Sequence, residues 1–525
     1  MTSDTHLKKQ KYAIIGTIIG LNAIVSITAT IYKAQWYIFL IILALSSTVN
    51  SIHVILIILH TINKYCCSGD IPYLPMDIPK KRLLYILPCY NESVDELRVS
   101  IESIYSQINI SQHQRHLVII CDGKLGTHET LLKLFDASIT KSTFIKNAYK
   151  TWQGDWCDVD IHEAFQVMPI TIIIKERNIG KRDSLTMIRR FLYDSQSSSK
   201  EAEWFSEWYT LRLKEALGDG FDYIIGTDAD TILEPHCSVE LLKVITNANI
   251  SENMVGVVGF VDIADSMSIW NPLICYQYAE YIVAQCLRRF SQSAITHKVN
   301  CLSGCVQIIR VCEATCGSHI LGEFNRMPAN DENIINHIRS YASEDRNHIC
   351  LMFSINPEVQ TLQCRSAIAY THVPANFGAF IRQRKRWNLG AFCNDLLLIK
   401  NSNHPTWERL CAGVNVLMFT FNIFIFIATV EFFMSIITNP SWLMLQISSL
   451  ILLPLLYNVL IPYTTYQKTR TLYYYVSLII YYGFGSLISI VVYGYTLYKM
   501  DDLWWNAKTI GGLASLGELE WESPV

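Results

Sequence analysis

The sequence lacks the glycine-rich signatures of the common nucleotide-binding enzymes. Its 525 residues contain neither a Gly-x-Gly-x-x-Gly turn nor a Walker-type phosphate loop, so neither NAD nor a P-loop nucleotide is supported as a ligand. It also lacks a basic stripe with interleaved aromatic side chains, and its formal net charge is only -3. Nucleic acid is therefore not an expected partner.

The 16 cysteines do not form an obvious metal or disulfide framework. They are scattered and many lie in apolar runs, which is typical of a reducing compartment. Cys301, Cys305, Cys312 and Cys316 repeat a spacing of four, whereas paired zinc ligands usually have two residues between them. A zinc site remains the alternative, but we interpret these residues as core or pocket-lining thiols.

What the sequence has in excess is apolar residues, which make up 50% of the chain and are concentrated at its two ends. Runs of this length predict transmembrane helices. The runs are Tyr12–Tyr32, Trp36–Ile62, Val414–Ile437, Trp442–Tyr463 and Tyr473–Tyr498. Between them lies a stretch with the composition of a globular domain, long enough for one large α/β core. The sequence therefore predicts a soluble domain between membrane spans.

The distribution of Lys and Arg predicts the orientation of this domain. Lys8, Lys9 and Lys11 precede the first run, only Lys33 follows it, and Lys64, Lys80, Lys81 and Arg82 follow the second. The N-terminus and the large domain are thus expected to face the cytoplasm. Lys468 and Arg470 place the turn before the fifth run on the same side. That run either crosses the membrane, is broken at Gly483 and Gly485, or lies in the interface, which leaves four or five spans.

The residues from Tyr223 to Thr231 predict the centre of the site. Tyr223–Ile225 reads as a buried strand, and Gly226 permits a close backbone approach. Asp228 and Asp230 follow two residues apart, so on an extended backbone their side chains project to the same face. Two such carboxylates can share a hard divalent ion that neutralises a diphosphate. An Asp-rich turn without a metal is the plainer alternative.

Other predicted strands also end in polar residues. Leu83–Leu87 is followed by Pro88, then by a helix start at Ser93 with a capping box to Glu96. Leu117–Gly123 is a second strand, which ends in Asp-Gly. This order is typical of a nucleotide-binding α/β unit with ligands at the carboxyl ends of its strands. Residues 125 to 168 show no regular pattern and are expected to elaborate this core.

Further segments carry candidate anion ligands. Ile170–Lys175 is a third strand, followed by Gly180-Lys181-Arg182-Asp183-Ser184, a glycine and two cations at a helix start that suit a phosphate. Asn330-Asp331-Glu332-Asn333 is an acidic loop that opens a helix. Phe380–Asn388 is basic and aromatic, which suits a lipid surface or, equally, a pyrophosphate and a sugar ring.

With these residues in order, the chain resembles a chitin synthase, one of the processive family-2 glycosyltransferases that also include cellulose and hyaluronan synthases. The resemblance covers about Leu84 to Gly390, with a weaker one from Met500 to Gly512. The motifs that carry it are Leu87-Pro88-Cys89-Tyr90-Asn91-Glu92, Ile120-Cys121-Asp122-Gly123, Gly180-Lys181-Arg182-Asp183-Ser184, Tyr278-Ala279-Glu280-Tyr281, Cys301-Leu302-Ser303-Gly304-Cys305 and Gln383-x-x-Arg386-Trp387.

The resemblance implies how the donor would be bound. Residues that would hold the uracil and ribose of a UDP-sugar are Pro88, Tyr90, Glu92 and Asp122. Those that would lie near the phosphates or line the pocket are Lys181, Arg182, Cys301, Ser303 and Gly304. Asp228 and Asp230 would bind Mg²⁺ or Mn²⁺, which bridges the diphosphate.

The resemblance also implies the catalytic residues. Asp331 would be the general base; the family usually shows Glu-Asp-Arg there, whereas this chain has Asn330-Asp331-Glu332, and the added acid would raise the pKa of the base. Gln383, Arg384 and Arg386 would stabilise the departing UDP, and Trp387 would stack on the acceptor sugar. Trp505 and Lys508 would belong to a loop that closes on the donor.

The predicted fold is α/β, a cytoplasmic Rossmann-like glycosyltransferase domain of the GT-A type inserted between transmembrane helices. Residues 1–65 would form two N-terminal membrane helices, 66–375 the glycosyltransferase domain and 376–410 an amphipathic interfacial segment. Residues 411–499 would form the C-terminal membrane helices, and 500–525 a gating loop and tail.

The function implied by the resemblance is transfer of N-acetylglucosamine from UDP-GlcNAc to a growing β-1,4 chain that leaves through the spans. Direct displacement with one base predicts inversion at the anomeric carbon. The expected partners are the UDP-GlcNAc donor, the polysaccharide acceptor and the lipid bilayer of the plasma membrane, with a homodimer left open. Hyaluronan synthesis and an inactive membrane scaffold are the alternatives.

Overall fold

The computed structural model describes residues 2–31, 37–63, 78–90, 92–124, 127–196, 204–218, 220–247, 253–264, 270–329, 331–438, 442–464 and 470–502. The strands are β1 (Arg82–Cys89), β2 (Gln114–Cys121), β3 (Ile139–Lys150), β4 (Trp156–Phe165), β5 (Pro169–Lys175), β6 (Tyr223–Gly226), β7 (Thr231–Leu233), β8 (Met254–Ile263), β9 (Gln307–Arg310) and β10 (Gln360–Thr371).

The helices outside the two apolar ends are α3 (Val94–Tyr105), α4 (Thr127–Phe135), α5 (Lys181–Gln196), α6 (Glu207–Leu217), α7 (Cys237–Ile245), α8 (Pro272–Ala284), α9 (Glu313–Cys316), α10 (Ser318–Phe324), α11 (Ile334–Tyr341), α12 (Glu344–Ile355) and α13 (Phe377–Lys400). The apolar ends form α1 (Thr2–Ile31), α2 (Tyr37–Ile62), α14 (Thr406–Thr420), α15 (Asn422–Thr438), α16 (Trp442–Thr464) and α17 (Thr471–Tyr498). Two π-helical stretches, Gln285–Arg289 and Gln292–Thr296, follow α8.

All ten strands of the described chain form one mixed sheet in the order β3-β4-β5-β2-β1-β6-β9-β8-β10-β7. Its centre is parallel, because β5, β2, β1 and β6 pair in the same direction. These strands are continuous apolar runs buried on both faces, as expected when helices cover a parallel sheet. The mixed α/β fold predicted from the sequence is confirmed, and its parallel centre brings the ends of β1, β2 and β6 to one edge.

The helix start predicted after β1 is confirmed in detail. The Ser93 side chain accepts a hydrogen bond from the Glu96 N–H, and the Glu96 carboxylate accepts one from the Ser93 N–H at 2.8 Å. The region from 125 to 168, which showed no regular pattern, forms α4 and an antiparallel pair, β3 and β4, that extends one edge of the sheet. Buried residues alternate with more accessible ones along β4, whereas β3 is mostly accessible, and many of its exposed residues are charged or polar.

The apolar ends form helices that are long enough to span a bilayer by length and composition. Within the described residues there are three, His6–Ile31, Ala44–Ile62 and Thr471–Tyr498, and a fourth if the bent pair α14 and α15 counts as one span. The predicted single run from Val414 to Ile437 is therefore divided between two helices that meet at 81°.

Asn22 of α1 satisfies the backbone at this bend. Its amide nitrogen donates to the Thr420 carbonyl oxygen at 2.8 Å, and its amide oxygen accepts from the Phe424 N–H at 2.8 Å. The side chain is buried. A helix that ends inside an apolar region needs such partners, because lipid offers none to its free backbone groups.

The fifth apolar run is one unbroken helix through Gly483 and Gly485, so these glycines do not interrupt it. Both of its ends contact the α/β part of the chain. Near its start, the Arg470 guanidinium donates to the Ile263 carbonyl at the end of β8 at 3.2 Å. After its end, the Asp502 carbonyl accepts from the Lys385 ammonium of α13 at 2.7 Å.

Candidate active site

The predicted carboxylate pair lies at the carboxyl end of β6, in the turn that leads to β7. Asp228 Oδ1 accepts a hydrogen bond from the Lys181 ammonium, at 2.6 Å, so the first residue of α5 reaches across to the end of β6. Burial and the neighbouring Asp228 carboxylate raise the pKa of Asp230 to about 6. The two carboxylates therefore interact electrostatically, as expected of residues that can share a cation.

Two residues that the sequence interpretation did not single out, Glu344 and Asp345, complete the site. They begin α12, and the Glu344 carboxylate lies 3.5 Å from the Lys181 ammonium. Burial lowers the pKa of Lys181, but the carboxylates of Asp228, Asp345 and Glu344 raise it. The net result is a pKa well above the usual range of a lysine. One ammonium therefore faces a group of carboxylates from two elements.

Asp345 has the surroundings of a general base. Its Oδ2 accepts a hydrogen bond from the Gly304 N–H at 2.8 Å, whereas Oδ1 is buried and has no hydrogen-bond partner in the described part of the chain. Burial, followed by the charges of Glu344 and Asp228, raises the pKa of Asp345 to about 6. One oxygen is thus oriented by the backbone and the other is left to accept a proton.

The turn Cys301–Cys305 fits closely against this cluster. A Cβ at Gly304 would lie 2.6 Å from the Lys181 nitrogen, 2.9 Å from Asp345 Oδ2 and 3.0 Å from Asp228 Oδ1. Cys305 Sγ donates to Asp228 Oδ2 at 3.4 Å, and burial together with the nearby carboxylates raises the pKa of its thiol. Of the predicted pocket residues, Gly304 thus contacts the cluster directly, while Cys301 and Ser303 belong to the same turn.

Asp331, the predicted base, lies elsewhere. It is exposed, in a loop where Glu332 pairs with Arg326 and holds the N-terminus of α11, whose Ile334 N–H donates to Gln10 of α1. The hydrogen bond from Arg326 lowers the pKa of Glu332 to about 2, so Glu332 is the charged partner of Arg326 in this loop. The structure brings Asp345, not Asp331, together with Asp228.

A signal for Asp345 was present in the sequence. The family motif Glu-Asp-Arg, which does not match at Asn330-Asp331-Glu332, occurs intact at Glu344-Asp345-Arg346. Asp331 lies just before α11 and Asp345 lies in the first turn of α12, so a position at a helix start did not separate them. The intact Glu-Asp-Arg triplet at 344–346 would have separated them.

The predicted nucleoside contacts gather at the ends of β1 and β2. Tyr90 and Glu92 follow β1, and the Glu92 carboxylate accepts from the Tyr90 N–H at 2.6 Å, while Pro88 lies within β1. Asp122 follows β2 and is buried. Its oxygens accept from the N–H groups of Ile179 and Gly180, at 3.0 and 2.6 Å, and one lies 2.5 Å from the Lys175 ammonium. Asp122 therefore fixes the loop that leads to Lys181.

Arg182 points away from Lys181, although it is the next residue. It is buried, its guanidinium donates to the carbonyls of Phe324 and Arg339 at 2.7 and 3.0 Å, and it lies 4.6 Å from the Phe324 ring centroid. These contacts join α5 to α10 and α11. Lys181 therefore lies beside the carboxylates, whereas Arg182 packs against α10 and α11.

The Gln383–Trp387 motif lies on α13, and its side chains have different neighbours. Arg384 is buried, forms an ion pair with Glu280 of α8, and lies 4.1 Å from the Trp387 ring centroid. The Gln383 side chain accepts from Arg384. Burial would raise the pKa of Glu344, but the charges of Lys181 and Arg386 outweigh it and lower that pKa, so Arg386 acts electrostatically on this carboxylate. Trp387 is 39% exposed and lies beside Tyr281, with ring centroids 5.9 Å apart.

Trp505 and Lys508 lie outside the described residues. The last described residues after α17 are held by two lysines from distant parts of the chain. Lys11 of α1 contacts Asp501 Oδ1 at 2.6 Å, and Lys385, between the arginines of the motif on α13, bonds Asp502.

Asp228 and Asp230 fit a divalent cation by the chemistry of their donors. They supply hard carboxylate oxygen ligands, and burial together with the Asp228 charge raises the pKa of Asp230. No group of three His, Cys, Asp or Glu side chains with metal-binding geometry occurs in the described ranges. The remaining ligands would therefore come from the donor's phosphates and from water.

An α/β sheet whose parallel centre ends in this acidic cluster, beside a helix that carries Gln383, Arg386 and Trp387, is the arrangement of a glycosyltransferase. A family model described as Chitin synthase matches residues 170–517. The chain belongs to the chitin synthase family, and the prediction of a hexosyltransferase of this type is confirmed.

Curated relatives support the same family. Chitin synthase 8 of Gibberella zeae is 31% identical over 530 residues, which cover 96% of this chain and 78% of the relative. Chitin synthase 8 of Verticillium dahliae is 31% identical and covers 79% of this chain and 74% of its own length. A solved mannosyltransferase from Pyrobaculum calidifontis, in complex with GDP-Man and Mn²⁺, aligns with 84% of this chain and 97% of its own at 11% identity. The TM-score of this alignment is 0.42.

The close approach of Gly304 to the cluster leaves no room for a side chain at this position. In Gly304→Ala the added methyl group would displace the Lys181 ammonium or the Asp345 carboxylate, so we expect sugar transfer to fall by about 100-fold, the usual effect of a shift of about 1 Å in a catalytic group. The measurement is the rate of UDP release by the purified protein. Gly322→Ala is the matched control, because its Cβ would meet no atom within 4 Å. Wild-type rates in Gly304→Ala would contradict the geometry described here.

Proposed function

We propose that the chain is a processive, inverting glycosyltransferase that polymerises N-acetylglucosamine from UDP-GlcNAc into β-1,4-linked chitin and passes the polymer across the membrane. The observation that carries the proposal is the cluster of Lys181, Asp228 and Asp345 beside the Gln383–Trp387 helix, in a chain of the chitin synthase family. We also propose that the α/β domain has the GT-A type of glycosyltransferase fold.

In the proposed mechanism Asp345 is the general base. Its carboxylate takes the proton of the acceptor's 4-hydroxyl group, and the oxygen attacks the anomeric carbon of the donor. The bond from that carbon to the β-phosphate oxygen breaks, and its electron pair leaves with UDP. Because one direct displacement inverts the anomeric carbon, an α-linked donor gives a β-linkage. The cation that Asp228 and Asp230 are proposed to bind, Mg²⁺ or Mn²⁺, would neutralise part of the diphosphate charge.

The other residues support the departure of UDP and hold the acceptor. Lys181 lies 2.6 Å from Asp228 and Arg386 acts electrostatically on Glu344, and we propose that both cations turn to the diphosphate when the donor binds. Trp387 and Tyr281 form an aromatic surface for the acceptor sugar. Arg384 positions Trp387 through its pair with Glu280, and Pro88, Tyr90, Glu92 and Asp122 form the nucleoside side of the pocket.

The assignment of the base is tested by two matched substitutions. Asp345→Asn removes the carboxylate proposed as the general base. We therefore expect the rate of sugar transfer to fall by about 10²- to 10⁴-fold, the range for a general base. Asp331→Asn changes an exposed carboxylate and is expected to leave the rate within about twofold of wild type. UDP release and polymer formation are measured for both. The opposite pattern would restore Asp331 as the base.

The donor is tested by supplying UDP-GlcNAc alone and then with UDP-glucuronic acid, in Mg²⁺ or Mn²⁺. We expect turnover on UDP-GlcNAc alone, a product that chitinase digests, and loss of activity in EDTA that either ion restores. Turnover only with both donors would favour hyaluronan synthesis. Folded protein without activity in any combination would favour the scaffold alternative.

For the membrane arrangement we propose a multi-pass protein of the plasma membrane, with the α/β domain cytoplasmic and α17 lying in the plane of the interface. Both ends of α17 bond the α/β part of the chain, at Ile263 and at Lys385. Its opposite face is apolar and exposed, as Ile479 and Leu487 illustrate, which suits lipid. This arrangement leaves residues after Asp502 on the side of the active site.

The arrangement of α17 is tested by proteolysis of sealed vesicles. A protease site inserted after Asp502 is expected to be cut from the same side as a control site inserted between α5 and α6. If the two sites are cut from opposite sides, α17 crosses the membrane and the in-plane arrangement is wrong.

A further inference from the structure

A chain of buried polar side chains runs from the proposed base to the membrane helices. Arg346 follows Asp345 directly, and its Nη2 lies 2.6 Å from Asp395 Oδ1 on α13. The side chain of Asp395 is only 1% exposed. The acidic partner is thus removed from solvent, two turns beyond Trp387 on the same helix.

The second oxygen of Asp395 continues the chain. Asp395 Oδ2 accepts from the Asn415 amide of α14 at 2.8 Å, and Asn415 Oδ1 accepts from Arg288 Nη1 at 2.7 Å. Arg288 belongs to the π-helical stretch that follows α8. Asp395 is therefore the carboxylate at the centre of this network, and its two oxygens join α12 to α14, the first helix of the bent pair.

The start of α12 depends on contacts of this kind. Ser343 before it has a left-handed backbone with φ 53°, and no side chain caps the helix. α13 approaches so closely that a Cβ on Gly390 would lie 2.0 Å from Ser343 Oγ. Asn347 donates to Asn394 of α13 at 3.1 Å. The first turn, which carries Asp345, is thus held by α13 and by the ion pair with Asp395.

A buried ion pair is weak evidence for stability, because the loss of hydration offsets much of the attraction between the charges. Its better-attested effect is to fix one geometry. We infer that Asp395 is a positioning residue, which acts through Arg346 to hold Asp345 against the acceptor site and ties this position to α14. The inference rests on the proposed function, since it takes Asp345 as the base.

The first test is Asp395→Asn, which removes the charge and keeps the shape. We expect kcat to fall by about 10- to 100-fold through misplacement of the base, while KM for UDP-GlcNAc and inhibition by UDP stay within about twofold. A merely structural role would lower the yield of folded protein and leave kcat per folded molecule unchanged. Rates are therefore normalised to the monodisperse fraction after size exclusion.

The matched control is Glu163→Gln. Glu163 pairs with the largely buried Arg212, so this substitution also removes the acid of a partly buried ion pair, on β4 and away from the cluster. We expect wild-type kcat. An equal fall in both variants would overturn the inference, because the effect would then be common to any such pair.

A second variant keeps the test decisive if Asp395→Asn does not fold. Asn415→Ala leaves the pair of Arg346 and Asp395 in place and removes the hydrogen bonds that Asn415 makes to Asp395 and to Arg288. We expect a severalfold fall in kcat at unchanged KM. Wild-type kcat in this variant, or in folded Asp395→Asn, would overturn the inference.

The double variant separates this inference from the proposed function. If Asp395 acts through Asp345, then Asp345→Asn with Asp395→Asn is no slower than Asp345→Asn alone. An additional loss in the double variant would show that Asp395 acts independently of the base. Activity retained in Asp345→Asn would instead remove the proposed base itself. An inactive Asp345→Asn beside a fully active Asp395→Asn would leave the proposed function intact and overturn only this inference.

Discussion

The site depends on an imbalance of charge that the protein itself does not resolve. The carboxylates of Asp228, Asp230 and Asp345 lie close together, and the ammonium of Lys181 is the nearest cation. Because like charges in a partly buried place raise one another's pKa, the folded chain is held in a state that favours additional cations. In the function proposed above, a metal–diphosphate complex would bring positive charge to the carboxylates and free Lys181 for the diphosphate, so binding and activation of the donor would have the same electrostatic origin.

The helix α13 connects the parts that must act together. Arg384 anchors it to α8, Lys385 holds the residues that follow α17, and Asp395 reaches α12 and α14. Consecutive residues on a helix point in directions about 100° apart, so adjacent cations such as Arg384 and Lys385 can serve different neighbours. The helix that carries the motif thus also joins the acidic cluster to the apolar ends of the chain.

Sequence patterns were sufficient where the deciding interactions are local. The strands that end at Asp122 and Asp228 follow from apolar runs, and the capped start of α3 follows from a four-residue signal. Patterns were not sufficient where packing decides: Asp331 and Asp345 both lie at helix starts, and they differ in what the rest of the fold brings to them. The orientation of Arg182 was also beyond the sequence, since two adjacent cations look alike until their neighbours in space are known.

The bend between α14 and α15 has a consequence for biosynthesis. Its free backbone groups are satisfied by Asn22, a side chain made some four hundred residues earlier. Asn22 can form these bonds only after α14 and α15 have been synthesised, so the packing of α1 against the bent pair is a late contact between distant parts of the chain. The bend and α1 therefore complete each other, because the backbone groups freed by the bend find their partner in one amide.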